Sequence, residues 1–375
     1  MLFERPQLSE KELDVCHEIE GLRRRLRSQL AEPRRWFGSL RRLSFARAIQ
    51  GSNSIEGLNA ALDDVAAAAE GEEPLDADLE TKLALVGYRD AMTYVLQLAP
   101  EERFEYSEQL LKSLHFMMTN HDLKYRPGLW RAGTIYVHNE ETDEITYEGP
   151  DIDFVPGLIE ELVDHLNKPD TTDAMVRAAM AHLNLVMIHP FRDGNGRMAR
   201  CLQTLVIARD GVLSPQFCSV EEYLGRNIGA YYDVLAEVGG GSWQPERDSL
   251  PWIRFMLTAH YHQAHTLLRR IKESEQLWTG LERLAKNHGL PERVLPAMYD
   301  AALGWRVRNA TYRRMSGHDM SEQTASRDLR LLVEKTLFEP HGERRGRYYT
   351  GTQELRGVFA AIRQKRPPRS VDPFA

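Results

Sequence analysis

Three cysteines, Cys16, Cys201 and Cys218, are all that the 375 residues contain. They are too few and too widely spaced for a disulfide framework or a zinc site. Cys201, in an apolar stretch, reads as a small core residue. No run of about 18 apolar residues occurs, so no membrane-spanning helix and no membrane partner is expected. The opening MLFERPQLSEKELD lacks an apolar signal core, which argues against secretion and for a reducing cytoplasmic location. Internal repeats and low-complexity tracts are absent too. The formal net charge of −7 argues against a chain built wholly for nucleic acid.

What is present is ordinary globular material, 42% hydrophobic and 27% charged, enough to bury a real core. The charge is uneven. Between Arg306 and Arg369 there are fifteen Lys and Arg against seven Asp and Glu, a local +8, so the remainder carries −15. Two such parts either face different partners or dock on each other.

Helical periodicity dominates. KELDVCHEIEGLRRRLRSQL, LRRLSFARAIQ (ending at Gly51), LNAALDDVAAAAEG, LETKLALVGYRDAMTYVLQLA and SEQLLKSLHFMMTN read as successive helices. GTIYVHNEETDEITYEGP breaks the period and reads as a β-hairpin. Helices resume with DFVPGLIEELVDHLN and DAMVRAAMAHLNLVMIH, then GRMARCLQTLVIARDG, VEEYLGRNIGAYYDVLAEV and a long helix from DSLPW. Beyond residue 290 a short helix, a turn at Ser316-Gly317, a second helix from about Ser321 and a hairpin with a GERRG tip follow the order of a winged helix-turn-helix. The expected fold class is mainly α. Residues 1–100 form an N-terminal helical region, 101–260 the core, 261–289 a connecting helix, 290–352 the winged helix and 353–375 a tail expected to fray.

The chemistry concentrates at HPFRDGNGRMAR, residues 189–200. Gly194, Asn195 and Gly196 stand where a helix begins, and the unpaired amides and dipole of a helix start favour an anion. Arg197 and Arg200, three apart, share a face above that nest, and forked guanidiniums suit phosphate oxygens. Asp193 at the rim is a single carboxylate of the kind that holds Mg²⁺ beside phosphates. His189, with an ordinary pKa of about 6.5, suits a general base. Together these describe phosphoryl or nucleotidyl transfer.

This stretch resembles the signature of the Fic family, His-x-Phe-x-Asp/Glu-Gly-Asn-Gly-Arg-x-x-Arg, and matches it at every defined position. The resemblance implies a helical core around the loop and transfer of AMP from ATP to a Tyr, Thr or Ser hydroxyl of a target protein. In that scheme His189 deprotonates the hydroxyl and Asp193 holds Mg²⁺ against the α- and β-phosphates. Gly194, Asn195 and Gly196 form the anion hole, Arg197 binds the β-phosphate and Arg200 the γ-phosphate. Phe191 is a core anchor.

GSNSIEGLN, residues 51–59, resembles the family's inhibitory motif, Ser/Thr-x-x-x-Glu-Gly/Asn, through Ser52, Glu56 and Gly57. The resemblance implies that Glu56 pairs with Arg200 and occupies the γ-phosphate site; some relatives use this Glu to remove AMP instead. The hairpin sits where the family has a flap that docks the target as an added strand, with Thr146 to Asp151 as its edge. RNIGAYYDVL resembles the segment covering the adenosine and puts Tyr231 on the nucleoside. Dimers occur in the family, so a homodimer is a further partner. Arg327 and Arg330 on the recognition helix, with Arg344, Arg345 and Arg347 at the wing, permit DNA contact. A winged-helix DNA-binding regulator with the Fic core as nucleotide sensor is therefore the alternative function.

Overall fold

The computed structural model describes the chain from 1 to 375 except residues 33, 139–143, 170, 317–319, 344–345, 367 and 369. Helices α1 (Glu10–Leu30), α2 (Phe37–Ile55), α3 (Leu62–Ala69), α4 (Leu79–Leu98) and α5 (Glu108–Thr119) precede a hairpin of β1 (Tyr136–His138) and β2 (Ile145–Glu148). Then come α6 (Val155–Asn167), α7 (Ala174–Ile188), α8 (Asn195–Ala208), α9 (Pro215–Cys218), α10 (Glu221–Arg226), α11 (Ile228–Gly239) and α12 (Leu250–Asn287). The chain closes with α13 (Leu295–Ala302), α14 (Asn309–Met315), α15 (Glu322–Glu334), β3 (Phe338–His341), β4 (Tyr348–Gly351) and α16 (Gln353–Arg363). The protein is mainly α with a small antiparallel hairpin before the central helices, as expected.

The centre is the pair α7 and α8. Asp173 caps α7 by accepting from the Met175 amide at 2.8 Å, and α8 is buried along its whole length except Gly196. Both are covered: α4 lies against α8, and α6 and α12 against α7. The long α12 also carries α1, and the Phe3 backbone exchanges hydrogen bonds of 2.8 and 3.2 Å with the Asn184 side chain of α7. One core cluster runs from α2 through α4, α7 and α8 to α13, α15 and β3, so the helical start and the C-terminal unit share packing with the centre.

Three expectations differ from the structure. Helix α2 does not end at Gly51 but runs on to Ile55. The glycine serves close packing, because a Cβ at Gly51 would lie 2.3 Å from the Glu221 carbonyl oxygen of α10. VEEYLGRNIGAYYDVLAEV divides into α10 and α11 at Asn227, whose side chain donates to the Tyr223 carbonyl at 2.7 Å. The C-terminal tail begins as helix α16, packed on α12 and α13, and further along Ser370 meets His262 Nδ1 at 2.7 Å.

In the C-terminal unit Val307 and Tyr349 exchange hydrogen bonds of 2.8 and 2.9 Å, which adds a strand-like bridge between α13 and α14. Part of its basic surplus is spent on docking. Arg306 pairs with Asp63, Asp64 and Asp76, Arg308 with Glu72, and buried Asp300 of α13 with Arg42 of α2. Arg327, Arg330 and Arg347 remain exposed, whereas Arg344 and Arg345 lie outside the described residues. Among the described residues no helix is long and apolar enough to cross a membrane.

Candidate active site

The loop between α7 and α8 begins with strain. His189 closes α7 in the left-handed conformation, with φ of 51°, which non-glycine residues adopt at a cost of about 1–3 kcal/mol. Surrounding contacts hold it there. Arg131 donates from Nε to the His189 carbonyl at 3.0 Å and from its backbone amide to the Pro190 carbonyl at 2.8 Å. Its guanidinium also reaches the Gly133 and Pro150 carbonyls at the two ends of the hairpin. One buried arginine thus ties the hairpin to the loop.

Opposite Arg131, His115 of α5 stacks on Phe191 with ring centroids 3.8 Å apart. Its Nδ1 accepts from the Gly128 amide at 2.9 Å and its Nε2 meets the Asp193 carbonyl at 3.0 Å, so the proton sits on Nε2. Burial holds its pKa near 4, so the ring stays neutral. His115→Phe should keep the stack but leave the Gly128 amide and the Asp193 carbonyl unpaired, each at a cost of about 1–3 kcal/mol. Urea denaturation should show the loss; unchanged stability would mean that the loop does not lean on His115.

Inside the loop the Asn195 side chain brackets Phe191, accepting from its amide and donating to its carbonyl, both at 2.9 Å. The Asn195 side chain is thereby used internally. Gly194, the N-cap of α8, needs φ of 76° and has no side chain to cap the helix, so the first-turn amides stay open. At Gly196 a Cβ would lie 2.5 Å from Glu56 Oε1, so a side chain there would displace that carboxylate.

The charged groups of the loop and of the end of α2 come together. Arg197 Nη2 pairs with Asp193 Oδ2 at 2.9 Å, and its buried Nε and Nη1 have no hydrogen-bond partner. Arg200, almost fully buried, donates to Ser52 Oγ at 2.9 Å, to the Ser52 carbonyl at 3.0 Å and to Glu56 Oε1 at 2.6 Å. Burial pushes the Glu56 carboxyl up, but Arg200 and then Arg197 outweigh it and its pKa falls below the ordinary value. Glu56 caps α2 and Gly57 follows in the left-handed region.

His189 Nδ1 lies 3.0 Å from the Val186 carbonyl. A carbonyl only accepts, so Nδ1 carries the proton and Nε2 keeps its lone pair. Burial lowers the pKa of the ring below 6.5, against the raising effects of that hydrogen bond and of Glu56. Gly149, just beyond β2, packs beside this histidine.

An open cavity of about 190 Å³ lies over the nest, lined by Glu56, Asp193, Arg197, Tyr125, Glu80 and Tyr232 among others. Tyr231 is not among its walls. Its hydroxyl lies 3.0 Å from His182 Nε2 in the core, while Tyr232 faces the cavity and donates to the Ile55 carbonyl at 3.0 Å. Among the described residues no cluster of three metal-binding side chains occurs, so a cation would need phosphate oxygens beside Asp193. Asp193 is half-exposed at the cavity rim, which fits that use for Mg²⁺.

The hairpin pairs Tyr136 with Glu148, Val137 with Tyr147 and His138 with Ile145. Its expected open edge is partly occupied, because Glu148 bridges Ser242 and donates to the Gly241 carbonyl at 3.0 Å. Residues 139–143, between the strands in sequence, lie outside the described residues.

Residues 105–207, from just before α5 almost to the end of α8, match the model of the Fic/DOC family. That stretch is a Fic domain. The matched span includes the loop and leaves out Ser52, Glu56 and Gly57. Curated relatives include the protein adenylyltransferase fic-1 of Caenorhabditis briggsae, 30% identical over 156 residues, 40% of this chain and 29% of that one. Another is the protein adenylyltransferase Fic of Nematostella vectensis, 25% identical over 56% of this chain and 44% of its own. The fic-1 of Caenorhabditis elegans is 38% identical over 87 residues, 22% of this chain and 17% of that one, so this chain spans less than half the length of each of these curated relatives. Among solved structures, a Fic family protein from Desulfovibrio desulfuricans has the same fold over 93% of this chain and 98% of its own, with TM-score 0.59 and 22% identity. A fragment of C. elegans Fic-1 aligns over 70% of this chain and 73% of its own, with TM-score 0.56 and 24% identity.

His115, Arg131 and Tyr232 carry no signal in the sequence: the first two belong to no local motif, and the third adjoins Tyr231.

Proposed function

We propose that this protein is an autoinhibited protein adenylyltransferase, moving AMP from ATP to a hydroxyl side chain of a target protein. The observation that carries the reading is the meeting of Glu56 with Arg200 over the glycine nest, beside a histidine whose Nε2 is free to take a proton. The target hydroxyl gives its proton to His189 Nε2 as its oxygen attacks the α-phosphorus, and the bond to the bridging oxygen breaks to release pyrophosphate. The open amides at the start of α8 and the unpartnered Nε and Nη1 of Arg197 would stabilise charge on the α- and β-phosphates. A magnesium ion held by Asp193, when bound, would supply further positive charge there. Arg200 would hold the γ-phosphate once Glu56 leaves, and the hairpin would align the target beside His189. Incubation with ATP labelled at the α-phosphate tests the reading. Labelled protein is expected, and none under any condition, including with Glu56 replaced, would refute it.

The pH profile should carry the mark of His189. A base works unprotonated, so the rate should fall on the acid side as the ring gains a proton. Because burial lowers its folded pKa, that limb should lie below pH 6.5, with a plateau above it. An acid limb centred above 6.5 would speak against His189 as the base.

The exposed Arg327 and Arg330 on α15 favour a second activity, DNA contact through the C-terminal unit. Salt-sensitive shifting of a DNA fragment that weakens in Arg327→Ala/Arg330→Ala would bear it out.

A further inference from the structure

A second concentration of guanidinium groups lies beside α10. Arg47 of α2, Arg226 of α10, Arg269 and Arg270 of α12 and Arg366 after α16 surround two carboxylates, Glu222 and Glu273. Arg47 is nine residues before Glu56, about 13 Å along the helix axis, so this is not the cavity at the loop.

The pairing there is unequal. Arg270 grips Glu222 with both Nη atoms, Arg226 reaches it at 2.6 Å, and Arg366 takes Glu273 at 2.6 and 2.8 Å. The carboxylates are thereby satisfied. Arg47 and Arg269 stand 3.5 Å from them through Nε, and both Nε atoms are buried with no hydrogen-bond partner. The cations acting most strongly on Arg47 are Arg270, Arg226 and Arg366, and on Arg269 they are Arg366, Arg270 and Arg226. Five guanidiniums against two carboxylates leave a surplus of three positive charges. Burial, then Arg270, lowers the Arg47 pKa to about 10, so its charge is costly where it stands.

Partly buried cations that meet a carboxylate only at 3.5 Å, with a buried Nε left without a hydrogen bond, are costly, and a multiply charged anion would lower that cost. Guanidinium forks fit the oxygens of phosphate groups. The occupant must be small, because Arg47 and Arg269 are each only 28% exposed among the helices and a nucleic-acid duplex could not reach them. We infer that Arg47, Arg226 and Arg269 form a second anion site, for a compact polyphosphate such as free pyrophosphate or the diphosphate end of a nucleotide.

The test is a calorimetric titration with pyrophosphate in metal-free buffer. It uses the full chain carrying Arg197→Ala, which removes the unpartnered donors at the active-site cavity. One saturable site is expected, weakened about tenfold or more when Arg47→Gln and Arg269→Gln are added, a loss of about 1.4 kcal/mol. Those substitutions leave the short pairs around Glu222 and Glu273 in place, and thermal melting should show no loss of stability, since two poorly partnered cations are removed. Arg226→Ala alone, at a half-exposed side chain, should also weaken binding. Guanosine diphosphate titrated alongside separates the sources: equal affinity indicates free polyphosphate, and tighter binding indicates a nucleotide. Absence of saturation, or an affinity that neither the double substitution nor Arg226→Ala changes, would overturn the inference and leave the cluster as an internal ion network.

Discussion

Glu56→Gly is expected to raise adenylyl transfer by roughly 5–150-fold, the usual range of coupling between two sites in one protein. The Glu56 carboxylate lies 2.6 Å from Arg200 Nη2 and directly over Gly196, so under the proposed function it would take the space and the cation that a terminal phosphate needs. Removing it frees both. The same substitution should lower stability without nucleotide by about 1–3 kcal/mol, because Arg200 loses a charge-assisted hydrogen bond. Added ATP should reverse the deficit, contributing about 2.7 kcal/mol at a concentration 100 times its dissociation constant. Wild type should gain far less from ATP. Melting curves of both proteins with and without ATP and Mg²⁺ therefore report on inhibition without any target. Equal stabilisation of the two would remove Glu56 from the role given to it. Since its folded pKa is depressed, the Glu56–Arg200 pair contributes fully above about pH 4.5 and its contribution fades as pH falls through the folded value.

His189→Ala in the Glu56→Gly background should reduce transfer by about 10²–10⁴-fold, the contribution of a positioned general base. ATP affinity should change little, because under the proposed function the contacts to the polyphosphate would come from the start of α8, Arg197 and Arg200. The comparison thus separates chemistry from binding. A large fall in ATP affinity with the rate at saturation preserved would place His189 in nucleotide binding. Relief of the strained backbone is a secondary effect, since alanine in the left-handed region carries a similar penalty.

The local chemistry could be read from the sequence because it is contiguous. His189, Asp193, Arg197 and Arg200 share one turn-and-helix unit, so their spacing dictates that they meet. The pairing of Glu56 with Arg200 joins positions far apart in the chain, at 2.6 Å, and no local spacing encodes it. Tyr231 shows where spacing stops being enough. Adjacent helical residues point about 100° apart, and only the packing of α11 on α12 decided that Tyr231 goes to His182 and Tyr232 to the cavity. Gly51 misled for a related reason: a glycine in a helix reads as a stop until the neighbouring backbone that excludes a Cβ is known.

The charge asymmetry was legible as an imbalance, with two outcomes open. Packing assigned part of it to docking, through Arg306 and Arg308 against the acidic stretch from Asp63 to Asp76, and left Arg327 and Arg330 exposed. Likewise the residues that hold the loop in its strained shape, His115 and Arg131, come from 58 to 78 positions away.

The amino-acid order alone therefore determined the helical class, the nest at residues 194–196 and the charged groups around it, because periodicity and short spacing act within a few residues. Which face of each helix turned inward, which distant side chains clamp the loop and which arginines remain unpaired were decided by tertiary packing. Those outcomes depend on close approach between segments far apart in the chain, a distance that no local pattern encodes.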